Sequence, residues 1–263
     1  MTFFEALILG LVQGLTEFLP VSSSGHLAIG KELLGIQAEN LSFEIAVHAA
    51  TVLSTIVAFR KDIFSLITSS VKFKYNKESS YILKIALSMV PVLIVGLFMK
   101  ERVEAIFGSG LLIVGICLLL TALLLALSQY VKAKENEIKY SNAFLIGVAQ
   151  AFAVLPGLSR SGATISTGLL LGVKREEIAK FSFLMVLVPI LGESFLELIS
   201  GGFSSAESGI NLYSLFAGFT AAFFSGLFAC KTMISLVKRA RLTGFAVYCA
   251  VIGLLSIAYS VFY

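Results

Sequence analysis

The chain reads GLVQGLTEFLPVSSSGH over residues 10–26 and GVAQAFAVLPGLSRSGAT over residues 147–164. In both stretches an apolar segment is interrupted by a Leu-Pro pair and resumes after a cluster of hydroxyl residues and glycine. Proline removes a backbone donor and ends a helix, so each stretch predicts two half-helices separated by a break. Because the two stretches resemble each other, they predict an internal repeat.

The composition around these stretches is that of a polytopic membrane protein. Hydrophobic residues make up 57% of the 263 residues and the mean hydropathy is +0.94. Charged residues make up only 14%, whereas about 25% is usual in soluble domains. A soluble enzyme, a disordered tail and a secreted disulfide scaffold are therefore excluded. The three cysteines, Cys117, Cys230 and Cys249, lie inside apolar segments and are predicted to be small core residues.

Six apolar stretches each approach the roughly 20 residues that a spanning helix requires. They run over 43–60, 81–99, 110–131, 181–200, 210–230 and 242–263. Two further regions, 3–35 and 142–173, are apolar but broken near the middle, so each half is too short to cross and each region is predicted to be a re-entrant helix pair. We therefore predict an all-α integral membrane protein that forms a single domain over 1–263, with six transmembrane helices plus two re-entrant helix pairs.

The two broken regions align over most of their length. Gly10 aligns with Gly147, Gln13 with Gln150, Leu19-Pro20 with Leu155-Pro156, Ser24-Gly25 with Ser161-Gly162, and Gly35 with Gly172, once one residue is gapped on each side of the proline. Each pair is followed by three spans. Because three is an odd number, the second pair enters the membrane from the face opposite to the first. The repeats 1–131 and 142–263 are therefore predicted to have inverted topology. Inverted repeats with broken helices bring half-helix N-termini together near the membrane midplane, where they can hold an anion.

Lysine and arginine are distributed unequally between the two predicted faces. Fifteen of the twenty lie in the predicted loops 60–80, 132–140, 174–180 and 231–241, and only Lys31, Lys100 and Arg102 lie on the opposite face. The positive-inside rule then predicts cytoplasmic loops on the first face and both termini outside. The net charge of +4 is explained by this topology signal and does not indicate nucleic-acid binding.

The first broken region contains a carboxylate in an apolar setting. Gln13 and Glu17 are four residues apart and share a helix face, and Glu17 comes three residues before Pro20. An ionisable residue within a membrane segment favours a functional site, although a capped or paired glutamate at a helix end is the structural alternative.

Hydroxyl residues follow each proline. After Pro20 come Ser22, Ser23, Ser24 and His26; one serine can cap the next half-helix while another presents a hydroxyl beside the imidazole, or all three serines act as caps. After Pro156 come Ser159, Arg160, Ser161 and Thr164. Because arginine and a helix N-terminus both bind phosphate oxygens, the second cluster predicts a phosphate site.

The motifs QGLTEFLPVSSSGH and PGLSRSGAT closely resemble the two signature motifs of the undecaprenyl-diphosphate phosphatase family, also called bacitracin-resistance proteins. This resemblance covers essentially the whole chain. It implies removal of the terminal phosphate of undecaprenyl diphosphate at the outer face of the bacterial cytoplasmic membrane, which recycles the lipid carrier for peptidoglycan. The family's glutamate motif corresponds to Gln13 and Glu17, where glutamine is a permitted form that cannot act as a second carboxylate.

The resulting mechanistic hypothesis is phosphoryl transfer to Ser23, with His26 as general base and then acid and Arg160 stabilising the phosphoryl oxygens. Glu17 has three open roles: orienting His26, holding a divalent cation such as Mg²⁺ or Ca²⁺, or acting as the base. Gln13, Ser22, Ser24, Ser159, Ser161 and Thr164 are assigned to substrate binding. No organic cofactor is expected. Glu44, His48, Glu193 and Glu197 are weaker candidates, for which an intramembrane pair is as good an explanation as a role near substrate.

Two other functions compete with this one. A lipid-phosphate phosphatase of the phosphatidic-acid type shares short SGH and SR motifs, but it needs a histidine after the SR pair and none occurs here after His48. A transporter or flippase for polyprenyl phosphates would use the same anion site without breaking a bond, as inverted repeats are common in transporters. The expected partners are a polyprenyl diphosphate and membrane lipids, and a homodimer is left open.

Overall fold

The computed structural model describes residues 1–36, 41–71, 76–99, 106, 110–131, 136–200, 210–239 and 242–262. Over these ranges the fold is all-helical. The helices are α1 (Phe3–Phe18), α2 (Ser23–Leu33), α3 (Leu41–Ala58), α4 (Arg60–Val71), α5 (Lys77–Phe98), α6 (Leu111–Tyr130), α7 (Tyr140–Phe152), α8 (Arg160–Leu170), α9 (Arg175–Met185), α10 (Leu187–Ser200), α11 (Leu212–Arg239) and α12 (Thr243–Phe262).

Several of these helices are suited to crossing a membrane. By length and apolar composition α5, α6, α11 and α12 qualify individually. Helices α3 and α4 qualify together, as a pair bent by 78°. Four or five candidate spans make this a multi-pass membrane protein, as the sequence predicts.

The stretch 181–200, predicted as one span, is divided between α9 and α10 with the break at Val186. Pro189 explains the break, because a proline ring clashes with the carbonyl four residues earlier, here that of Met185. The stretch 181–200 is therefore two helices with a break between them and not one continuous helix.

Most of the residues predicted to form the basic loops are helical. The predicted loop 60–80 contains α4, the loop 174–180 contains the start of α9, and the loop 231–241 contains the end of α11. Lysine, arginine and glutamate are good helix formers, so their charge marks a place outside the hydrocarbon core without preventing a helix. Glu176 and Glu177 also favour the start of α9, since acidic side chains stabilise a helix N-terminus.

Both predicted breaks are present, and they are built in the same way. Helix α1 ends at Phe18 and α2 begins at Ser23, while α7 ends at Phe152 and α8 begins at Arg160. The second helix of each pair ends in a matching turn, in which Gly35 and Gly172 adopt φ of +66° and +79°. Their backbone N–H groups donate to Glu32 O at 3.1 Å and Leu169 O at 2.9 Å, respectively. Glycine is required here because other residues rarely adopt a positive φ.

Each broken pair packs against a long helix of the other half of the chain. At the α1 crossing with α11, a Cβ added to Gly10 would clash with the Gly218 backbone. At the crossing of α7 with α5, a Cβ added to Gly147 would clash with the Ser88 backbone. Small residues permit such close approach between membrane helices, and dispersion contacts then hold the helices together. The crossings fix α1 and α7, and therefore the two breaks.

We predict that Gly10→Ala and Gly147→Ala each destabilise the protein, because the added methyl group meets backbone rather than a movable side chain. Overpacking of this kind costs about 1–3 kcal/mol. The matched control is Gly96→Ala within α5, where a Cβ meets nothing within 4 Å and where alanine favours the helix by about 1 kcal/mol. Thermal unfolding in detergent should show lower melting temperatures for Gly10→Ala and Gly147→Ala and a slightly higher one for Gly96→Ala. Equal melting temperatures for all three variants would contradict the packing explanation.

Candidate active site

Each break ends in a serine that caps the following helix. The Ser22 Oγ accepts a hydrogen bond from Gly25 N at 3.2 Å, and the Ser159 Oγ accepts one from Gly162 N at 3.0 Å. Ser22 also has φ of +70°, the one positive value outside glycine among the described residues. A backbone held in this region costs about 1–3 kcal/mol and is typical of functional sites. The two helices thus begin at Ser23 and Arg160, with their free N–H groups at the breaks.

The carboxylate of Glu17 is the centre of the hydrogen-bond network. Its Oε2 accepts from the Ser23 hydroxyl at 2.5 Å and from the Gln13 Nε2 at 2.8 Å. Its Oε1 accepts from the Arg160 Nη2 at 3.2 Å. The side chain of Glu17 is only 8% exposed, so its charge depends on these partners rather than on water. The structure therefore brings together four of the predicted residues: Gln13, Glu17, Ser23 and Arg160.

The two breaks touch each other through backbone as well as side chains. The Ser161 Oγ donates to the Leu19 carbonyl at 3.1 Å. A Cβ added to Gly25 would come within 3.0 Å of the Gly157 Cα. Since Leu19 and Gly25 belong to the first broken region and Gly157 and Ser161 to the second, neither half of the chain forms the site alone.

The second break is supported by a threonine from α6. The Thr121 Oγ1 accepts from the Ser159 N at 3.0 Å and donates to the Cys117 carbonyl at 3.1 Å. Inside α8, the Thr164 Oγ1 donates to the Arg160 carbonyl at 2.8 Å and lies 2.6 Å from the Ser182 Oγ. The main chain on either side of Arg160 is therefore held in place.

His26 lies beside an aromatic residue of α12. Its Nδ1 is 2.8 Å from the Ser22 carbonyl and its Nε2 is 2.7 Å from the Tyr248 hydroxyl. The two rings are stacked, with centroids 5.5 Å apart. Because a carbonyl can only accept, Nδ1 carries the proton, and in the neutral imidazole Nε2 then accepts from the Tyr248 hydroxyl. The described hydrogen bond of Ser23 thus goes to Glu17, while both ring nitrogens of His26 have other partners.

One of the weaker sequence candidates lies at the site. The Nε2 of His48 is 3.6 Å from the Glu17 Oε2, and its Nδ1 is 2.8 Å from the Glu44 carbonyl. The Glu44 carboxylate forms an ion pair with Lys31. The side chains of Glu193 and Glu197 lie outside the described part of the chain.

Two cavities adjoin the Glu17–Arg160 ion pair. The smaller, of about 240 Å³, is lined by these two residues together with Ser22, Ser23, Ser24, Ala153, Leu158 and Ser159. The larger, of about 410 Å³, has walls that include Ser161 and Thr164. His26 lines neither of these two cavities. The predicted substrate-binding hydroxyls therefore lie on both sides of the ion pair.

Glu17 is the carboxylate that lines both cavities. Within the described ranges, no group of three His, Cys, Asp or Glu side chains is arranged to hold a metal ion. Asp62, the single aspartate of the chain, forms an ion pair with Lys180 at 2.5 Å. Glu17 is therefore the residue at this site that would hold a divalent cation.

Sequence reasoning missed Tyr248 and Thr121 as residues of the site. Both lie in long apolar helices, where a tyrosine or threonine has no local pattern that distinguishes it from a packing residue. Gln150 was matched to Gln13 in the repeat but not assigned to the site, although it lines the larger cavity. The repeat alignment was the signal that could have identified it.

Comparison with known proteins identifies a family. Residues 6–255 match the family described as "Bacitracin resistance protein BacA". A relative named undecaprenyl-diphosphatase from Bacteroides fragilis is 57% identical, with 99% of both chains covered. A relative of the same name from Parabacteroides distasonis is 56% identical, with 98% of both chains covered. Another, from Korarchaeum cryptofilum, is 42% identical, with 95% of this chain and 96% of the relative covered.

We predict that Thr121→Val destabilises the protein whereas Thr121→Ser does not. Valine removes the only described acceptor of the buried Ser159 N–H, and an unsatisfied buried donor costs about 1–3 kcal/mol. Serine keeps the oxygen. Thermal unfolding of the two variants in detergent would measure the difference, and equal stability would show that this hydrogen bond does not support the second break.

Proposed function

Because this chain belongs to the bacitracin resistance protein family, we propose that it is an undecaprenyl-diphosphatase. It is a membrane hydrolase that cleaves undecaprenyl diphosphate to undecaprenyl phosphate and inorganic phosphate. The reaction returns the lipid carrier to cell-wall synthesis and gives resistance to bacitracin. Relatives that share 56–57% identity over nearly their whole length carry the name of this activity.

The observation that carries this proposal is the contact of Ser23, Glu17 and Arg160 at the start of two helices. A hydroxyl 2.5 Å from a carboxylate is a nucleophile beside a base. A guanidinium and free helix N–H groups beside them match the charge of a phosphoryl group. A nucleophile, a base and an anion site in contact support phosphoryl transfer.

In the first step, the Ser23 Oγ attacks the terminal phosphorus. The bond from this phosphorus to the bridging oxygen breaks, and undecaprenyl phosphate leaves with that oxygen. The Ser23 proton passes to the Glu17 Oε2, its hydrogen-bond partner. Arg160 has five N–H donors and only one described bond to Glu17, so the other donors can bind phosphoryl oxygens. Its side chain is 28% exposed and is thus accessible from the cavities.

In the second step, water hydrolyses the phosphoserine. A water oxygen attacks the phosphorus, the bond from phosphorus to the Ser23 Oγ breaks, and inorganic phosphate leaves. Ser23 regains the proton held by Glu17, and the proton released by water goes to the phosphate product or to a second base. His26 is the proposed second base. For this role its Nε2 must release the hydrogen bond to the Tyr248 hydroxyl and accept one from the water. Glu17 is thus the base of the first step, and His26 is the base of the second.

The remaining polar residues bind and position the substrate in this proposal. Ser24 contributes a hydroxyl to the smaller cavity, together with the helix N–H groups that follow the caps Ser22 and Ser159. Ser161 and Thr164 face the larger cavity. Gln13 holds the Glu17 carboxylate through the 2.8 Å hydrogen bond. A divalent cation, Mg²⁺ or Ca²⁺, would neutralise diphosphate charge when bound.

We further propose six membrane crossings and two re-entrant pairs related as inverted repeats, 1–131 and 142–263. The matching serine caps, the matching turns at Gly35 and Gly172, and the reciprocal crossings of α1 and α7 support this arrangement. The distribution of lysine and arginine supports a site that opens to the extracytoplasmic side of the bacterial inner membrane, with both termini outside.

A polyprenyl-phosphate transporter or flippase is the second candidate. The broken helices of the proposed inverted repeat support it, because transporters use the same architecture. Hydrolysis in detergent separates the two functions, since detergent micelles offer no second compartment into which a lipid could be moved.

We predict that the purified protein releases phosphate from a long-chain prenyl diphosphate, and that three variants lose this activity. Ser23→Ala removes the nucleophile and should lower kcat by about a thousandfold or more. Glu17→Gln removes the base and should lower kcat by about 10²–10⁴-fold. Arg160→Lys loses the planar donors and should cost about 10²–10³-fold. Phosphate release is measured with Mg²⁺, with Ca²⁺ and after chelation of both.

The matched control for these variants is Thr68→Ala, an exposed hydroxyl on α4 that should leave phosphate release unchanged. Full activity in Ser23→Ala would end the phosphoserine mechanism. If the unmodified protein released no phosphate under any ion condition, the transporter would become the better-supported function.

We predict that a cysteine added before Met1 or after Tyr263 reacts with an impermeant thiol reagent in intact cells. Both termini are proposed to lie outside, so neither label should require opening of the membrane. A cysteine in place of Lys139 should label only in inverted vesicles, because it lies in a predicted cytoplasmic loop. The reverse pattern would overturn the topology.

A further inference from the structure

The larger cavity is not used by the phosphoryl-transfer steps. It shares Glu17 and Arg160 with the smaller, serine-lined cavity, so the ion pair lies where the two meet. Its apolar walls are formed by Phe18, Val52, Phe183, Val186 and Ile190. It therefore combines a phosphate-binding arginine at one point with a surface suited to hydrocarbon.

Gln150 is an amide in the wall of this cavity, and the described part of the chain offers it no strong partner. Its counterpart in the first repeat, Gln13, donates to Glu17, which comes four residues later. The residue four positions after Gln150 is Val154, so the second repeat offers no carboxylate at that place. The hydrogen bond described for Gln150 joins its Nε2 to the Met89 sulfur at 3.9 Å, and a thioether is a weak acceptor.

A buried amide normally has its N–H groups satisfied, and Gln150 is 2% exposed. Phosphate oxygens are strong acceptors, and the same cavity contains Arg160, which attracts them. We infer that the larger cavity binds the inner phosphate and the first isoprene units of the prenyl diphosphate, with Gln150 donating to the inner phosphate. This inference rests on the proposed function and names a subsite of the same site.

In this proposal the two cavities bind different parts of the substrate. The terminal phosphate occupies the smaller cavity beside Ser23, and the inner phosphate lies across the ion pair in the larger one. The first isoprene units then contact Phe183, Val186 and Ile190. The apolar part of the larger cavity's wall consists of five side chains, so it contacts only the start of the tail while the rest extends into lipid.

Binding of the two products tests the assignment without depending on hydrolysis. Geranylgeranyl monophosphate carries the inner phosphate and a tail, whereas inorganic phosphate corresponds to the terminal group. Gln150→Leu should raise the Kd of geranylgeranyl monophosphate by about tenfold, as expected for one hydrogen bond to a charged group. The Kd of inorganic phosphate should not change. Gln129→Leu on α6, an equal substitution outside both cavities, is the matched control.

A second variant tests the apolar end of the cavity and does not remove a polar group. Val186→Phe fills space beside the expected tail, so it should weaken geranylgeranyl monophosphate by at least about tenfold and leave inorganic phosphate unchanged. If Gln150→Leu does not fold, the binding results for Val186→Phe test the inference. An unchanged Kd for the monophosphate in the folded variants, or an equal loss for both products, would overturn the inference. Lack of hydrolysis by the unmodified protein would instead overturn the proposed function.

Discussion

The ion pair between Glu17 and Arg160 is the interaction on which the site depends. A carboxylate that is 8% exposed carries a large desolvation cost, which is offset only when opposite charge and hydrogen bonds surround it. Arg160, Gln13 and Ser23 provide those contacts. Because Glu17 and Arg160 come from different halves of the chain, this requirement holds the halves in one relative position.

The backbone breaks are what allow the pair to form. Proline ends each first helix, a serine cap starts each second helix, and the free N–H groups of the new helices lie beside the charged side chains. The glycine-mediated crossings of α1 and α7 then hold the two breaks against each other. The two halves use the same backbone design but different side chains, since one supplies the carboxylate of Glu17 and the hydroxyl of Ser23 and the other supplies the guanidinium of Arg160.

The parts of the site that depend on local sequence could be predicted. Gln13 and Glu17 share a face because of their spacing, and a serine cap after Pro20 was one of the alternatives that the sequence left open. Ser159 was assigned to substrate binding, whereas in the structure its Oγ caps α8. His48 was only a weaker candidate and Tyr248 was missed, since α3 and α12 reach the site only through tertiary packing. The break at Val186 was readable from Pro189 but was hidden by the continuous apolar character of 181–200. The basic segments were predicted to be loops, although most of their residues are helical. Their charge indicates a position outside the hydrocarbon core but does not determine backbone conformation.

The division of the site between the two halves also bears on how the protein is made. A membrane protein is inserted from its N-terminus as it is synthesised. Glu17 therefore enters the bilayer well before Arg160 has left the ribosome, and during that interval the nascent first half has an acidic side chain without its partner. The site is therefore complete only when α8 has packed against the first break and Arg160 has reached the carboxylate.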